Sequence, residues 1–154
     1  MKITFLIALL IGSISGQTSI EKPIRVSLNE LIGKSGIYDG KMVLVSAFVV
    51  SGFEEFGLSS NGSVAEIWLD YPSRPRLVPP PDFKLLSEKE SKLLDKYLRE
   101  KGCHLVSATF TGRFDYDDLS NSSSKFGYGD LNRFKQRLII REIADVMTEK
   151  CPNP

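Results

Sequence analysis

Residues 41–52, KMVLVSAFVVSG, limit the fold more than any other segment of the chain. A strand with one face on a core and one in water alternates apolar and polar side chains. Residues 42–50 do not alternate: they are apolar at both parities, rich in valine, and they end at Ser51-Gly52. Such a strand has its two halves facing different parts of a core, and it must bend to do so. The turn pair Asp39-Gly40 opens it, and Gly52 separates it from a second short strand at 56–59. This is the opening of a small, strongly curved β-barrel.

The rest of the chain supplies further elements in a definite order. Ahead of the long strand, residues 27–32, SLNELI, read as a short helix with Ser27 as N-cap and Glu30 completing a capping box. After the turn at 60–62 a third strand is expected over 64–71. Ala65, Ile67, Leu69 and Tyr71 are its core face, and Glu66, Trp68 and Asp70 its other face. Residues 72–83 carry five prolines and mark a stiff connector. Ser87 and Glu90 then read as a second capping box. Leu86, Leu93, Leu94, Tyr97 and Leu98 form the apolar stripe of a helix that Gly102 stops. Residues 104–114 alternate, with Val106, Ala108, Phe110 and Phe114 inward. A polar loop over 115–135 leads to a last strand, in which Leu138 and Ile140 have one parity and Ile143 the other. That break predicts a bulge near Arg141 and Glu142. The expected fold is therefore mainly β with one or two helices: a five-stranded OB-fold-like Greek-key barrel with a helix between strands 3 and 4.

The first residues, MKITFLIALLIGSISGQ, place Lys2 before an apolar run and small residues after it, the layout of a cleaved signal peptide over 1–15. Residues 16–154 are then one secreted or periplasmic domain with no membrane span in its mature form. The whole chain has 20 Lys and Arg against 19 Asp and Glu; removing Lys2 takes the formal charge from +1 to 0. A neutral domain lacks the cationic excess that nucleic-acid backbones reward, so nucleic acid is disfavoured as a partner. Export also bears on the two cysteines, Cys103 and Cys151. One precedes the fourth strand and the other follows the fifth, so a Cys103–Cys151 disulfide is expected in preference to two free thiols.

The segments YDGKMVLVSAFVV, GFEEFGL, IWLDY, TGRFD and FGYGDLNRFKQRLIIREIADV together resemble a group of small exported bacterial proteins of unknown function with an OB-like domain. The resemblance covers most of the mature chain. It implies a fold and an address, and it carries no catalytic residues across.

Neither a catalytic residue nor a metal site nor a cofactor is expected. His104 is the sole histidine, and its neighbour Cys103 is reserved for the disulfide. Asp115, Asp117 and Asp118 lack the glycine and terminal glutamate of a calcium loop and read as a solvated acidic loop. The sequons at Asn61 and Asn121 lie in expected loops. Ligand-binding candidates are Trp68, Arg113 and the loop residues Phe126, Tyr128 and Arg133. Two readings stand for the aromatics: a face held out for a ligand, or rings covered by the proline segment or first helix and plugging a barrel end. The chain is expected to be a monomeric, non-enzymatic binding or accessory module of the cell envelope, meeting a protein or a small extended ligand. The alternatives are a small secreted phosphodiester hydrolase of nuclease type, using Arg113 and Asp115, and a structural partner in an envelope complex.

Overall fold

The structure, a computed structural model, describes residues 22–52, 55–70, 86–100, 104–117, 127–129 and 133–150. The expected signal peptide, Tyr71, the proline connector, Gly102, both cysteines, Asp118, the Asn121 sequon and Phe126 lie outside the described residues. In chain order the elements are β1 (Ile24–Arg25), α1 (Leu28–Gly33), α2 (Ser35–Tyr38), β2 (Met42–Gly52), β3 (Glu55–Ser59), β4 (Ile67–Asp70), α3 (Glu88–Arg99), β5 (His104–Tyr116) and β6 (Gln136–Lys150). Among the described residues the chain is mainly β, with six strands in one sheet and three helices rather than one or two. The additions to the expected order are β1, a two-residue parallel annex to β2, and α2, a single turn.

The strand order is β1-β2-β3-β4-β6-β5, and β2 also pairs with β5. The two-faced apolar run explains this double pairing. Over residues 42–49 β2 runs antiparallel to β5, while over 48–52 it runs antiparallel to β3, so its two halves have different neighbours. Pairing of β4 with β6 is parallel, and β5 with β6 is antiparallel and long. The core collects the inward residues of β2 to β6, among them Val43, Val45, Leu58, Ile67, Leu69, Phe110, Phe114, Leu138, Ile140 and Ile143, and is closed by Leu31 of α1 and Leu94 of α3. Among the described residues no helix is long and apolar enough to cross a membrane.

Local chemistry explains the element ends. Ser27 caps α1 as its sequence predicts, its hydroxyl accepting from the Glu30 N–H at 3.2 Å. The second capping box does not form. Ser87 sits at the N-cap of α3, but its hydroxyl accepts from the Ile143 N–H at 2.6 Å, and the Leu86 N–H donates to the Arg141 carbonyl at 2.8 Å. The start of α3 is thus hydrogen-bonded onto β6. Leu86 is exposed instead of joining the helix stripe. The third strand is shorter than expected because residues 60–66 form a turn held by side chains. Glu66 accepts from the Ser60 N–H at 2.7 Å, and Glu55 accepts from the Ala65 N–H at 3.0 Å.

The bulge in β6 falls where the parity break places it. Thr111 faces Glu142 and Gly112 faces Ile140, which leaves Arg141 as the extra residue. Gly112 is required there, because a Cβ would collide with the Ile139 carbonyl. A second irregularity, between Ser107 and Thr109, sets Asp145 and Val146 against Ala108 alone, with Asp145 at φ +50°.

Candidate functional site

The sequence-named residues gather around one that the sequence reading missed, Arg137. This arginine lies near the start of β6, where β6 runs beside both β4 and β5: Trp68 and Asp115 are each its register partner. One guanidinium nitrogen meets Asp70 at 3.0 Å and another meets Asp115 at 2.6 Å. Arg113 pairs with the other Asp115 oxygen at 3.0 Å. The Tyr128 ring lies under the Arg137 guanidinium at 4.4 Å, within cation–π range. Trp68 completes the cluster, its indole N–H donating to Asp70 at 2.7 Å.

Trp68 is buried, and among the described residues the loop packs over it: the Phe134 ring lies 5.5 Å from the Trp68 ring, and Gly129 lies against the indole. Gly129 has φ +79°, and a Cβ there would come within 2.6 Å of the indole, so glycine is needed twice over. The loop is pinned in this position by reciprocal backbone bonds between Tyr128 and Phe134 of 2.7 and 3.1 Å. Arg133, by contrast, is exposed. The acidic run 115–117 is not a solvated loop: β5 extends through Tyr116, Asp115 is largely covered by its arginines, and Asp117 is buried with its N–H donated to the Lys135 carbonyl.

Burial raises the Asp70 carboxyl above the usual aspartate value of 3.8, outweighing the Arg137 charge and the Trp68 N–H that pull it down. Burial works the other way on Arg137, but the Asp115 hydrogen bond and the Asp70 charge hold it above its ordinary value. Burial likewise raises Tyr128. Because Asp70 binds its proton more tightly folded than unfolded, its contribution to stability is full below the unfolded value. That contribution is lost as the pH rises through the folded value and is constant above it. Carboxyl-detected NMR should find an Asp70 midpoint above 3.8, and Arg137→Gln should raise it further by removing the compensating charge. A midpoint at or below 3.8 would mean that the arginine outweighs burial.

A different part of the sheet presents open space. A groove of about 590 Å³ lies over the outer face of β2, β5 and β6, within the roughly 300–1,000 Å³ typical of ligand pockets. Register builds its floor in two rows. Ser107 faces Phe48 on one side and Met147 on the other, a row across the three strands, and Ser46 faces Thr109 in the next row. The Ser46 and Thr109 hydroxyls bond to each other at 2.8 Å. One wall comes from Ser27 and Asn29 at the start of α1, the other from Ser60 in the turn after β3, and Asp145 supplies the single charge among the described lining residues.

No family model, curated protein or solved structure matches the chain.

Trp68, Arg113 and Tyr128 come together around Arg137, yet the carboxylates and ring faces there already engage one another. None of these three residues, nor Arg133, lines the groove. The groove residues left a trace in the sequence. Ser46 is the one polar side chain inside the apolar run 42–50, and Ser107 and Thr109 share the outward parity of β5. Among the described residues no group of three or more His, Cys, Asp or Glu side chains is placed to hold a metal ion.

Proposed function

We propose that the chain is an exported, non-enzymatic binding or accessory module of the cell envelope, built on a five-stranded OB-like barrel, with its ligand face in the β2/β5/β6 groove. The barrel reading is supported by the pairings: β2-β3-β4-β6-β5 and back to β2 is a circuit, with β4 and β6 parallel and α3 between β4 and β5. Export is supported by the layout of residues 1–17.

The observation that carries the binding reading is the hydroxyl-floored groove. Ser46 and Thr109 satisfy each other with one hydrogen bond, which leaves one O–H donor and several acceptor lone pairs facing the groove. Polar groups converging on a largely apolar concave surface are the usual make-up of a ligand site. The hydrolase alternative needs Arg113 and Asp115 for a phosphate or a metal ion, but Asp115 is held by both Arg113 and Arg137. The third alternative, a structural partner in an envelope complex, would use the same groove for a protein.

Tagged mature protein should retain its partner from envelope extract. The variant carrying Phe48→Ala and Thr109→Val should lose that partner with its melting temperature unchanged. Equal retention by the variant would remove the groove from the reading. Metal-dependent hydrolysis of a phosphodiester reporter, lost in Asp115→Asn, would replace the binding module with the hydrolase.

A further inference from the structure

We infer that the groove takes a short neutral oligosaccharide, an inference that rests on the binding reading above. The chemistry of the lining selects this class. Sugars present apolar C–H faces edged by hydroxyls, and the groove floor has the matching order: the Phe48 and Met147 side chains flank the Ser107 hydroxyl, and the Ser46–Thr109 pair forms the adjoining row. Met147 is 57% exposed, an apolar side chain presented to solvent beside these hydroxyls.

Hydrogen-bonding capacity points the same way. The lining hydroxyls both donate and accept, and the Asn29 amide adds a group that does both. A polyhydroxylated ligand, whose own groups also donate and accept, can satisfy such a set from either side. A purely apolar ligand would desolvate these groups and leave their remaining donor and acceptor capacity unmet.

Charge narrows the class to neutral sugars. Among the described residues neither lysine nor arginine lines the groove, so phosphate, sulfate and uronate groups would find no counter-charge there. Asp145 is exposed, lifted by the second bulge of β6 at a φ of +50°, and it lines the same groove. Its carboxylate accepts hydrogen bonds from sugar hydroxyls and repels acidic sugars.

The test is an NMR titration of the isotopically labelled full mature chain. The probes are maltotriose, cellotriose, N,N′,N″-triacetylchitotriose, the acidic trigalacturonate and, as a non-sugar probe of the groove itself, benzyl alcohol. At least one neutral trisaccharide should shift the signals of Ser46, Phe48, Ser107 and Thr109, and trigalacturonate should not. Phe48→Ala and Thr109→Val should each weaken that binding about tenfold. Trigalacturonate binding as well as the neutral sugars would overturn the inference. Benzyl alcohol shifting the groove while no sugar does would overturn the sugar class and leave the groove as a ligand site. Shifts from none of the five would overturn both.

Discussion

Replacing Trp68 with alanine is expected to destabilise the protein by about 3–5 kcal/mol, the range for deleting a buried large aromatic. The residue is 3% exposed, on a four-residue strand whose partners are β3 and β6. Its ring is what the 127–135 loop packs against, through Phe134 and Gly129. The loss therefore has three parts: the apolar area, the cavity under the loop, and the indole N–H on Asp70. Trp68→Phe isolates the last of these and should cost only about 1–2 kcal/mol, since it keeps most of the ring and removes one hydrogen bond to a carboxylate. As the sole tryptophan, Trp68 also reports directly on its surroundings. Native emission should be blue-shifted and poorly quenched by iodide. A Trp68→Ala protein within about 0.5 kcal/mol of wild type, the range of a surface change, would return this ring to the list of ligand contacts.

The burial of Trp68 shows where local pattern stops being informative. Alternation assigned Ala65, Ile67 and Leu69 to the core correctly, and all three are buried. It also set Trp68 on the opposite face, which is right for a strand and silent about what covers that face. The cover comes from more than fifty residues further along the chain, at Gly129 and Phe134, and depends on a glycine at positive φ. Arg137 was missed for the same reason. Its sequence context is an unremarkable strand start, and the pairing of β6 with β4 on one side and β5 on the other brings it between Asp70 and Asp115.

The elements whose causes are local were legible. Ser27 specifies the start of α1, while the Glu30 carboxylate accepts from Lys34 and Tyr38, and the parity break between Ile140 and Ile143 specifies the first bulge. The same capping pattern failed at Ser87 because a tertiary donor, the Ile143 N–H, took the hydroxyl. The second bulge was invisible because residues 144–150 contain no apolar repeat whose phase could break. Legible in part, the groove had polar residues with outward parity on β2 and β5, but the wall from α1 and the bulged Asp145 are set by packing.

Removing the proposed Cys103–Cys151 bridge is expected to cost roughly 3 to 4 kcal/mol by the loop-entropy relation, because it closes a loop of nearly a third of the chain. The support is in the β5–β6 ladder. Its last described pair is His104 with Lys150, one residue inside each cysteine in sequence, and the strands are antiparallel. Directly opposed residues in such a ladder bring their Cβ atoms close to the separation a disulfide requires. The location also makes the effect large. From Ser107 to Met147 outward, β6 contributes mostly exposed residues, so this end of the ladder has little apolar burial to hold it together. A covalent tie there would keep the floor of the groove, which Ser107 and Met147 share, from fraying. Peptide mapping of exported protein without reductant should recover the linked pair. The variant with both cysteines changed to serine should melt earlier and lose amide protection first at residues 104–107 and 147–150. Two alkylatable thiols in freshly exported protein, or a double variant as stable as the parent, would show that hydrogen bonding and packing alone hold this end of the sheet.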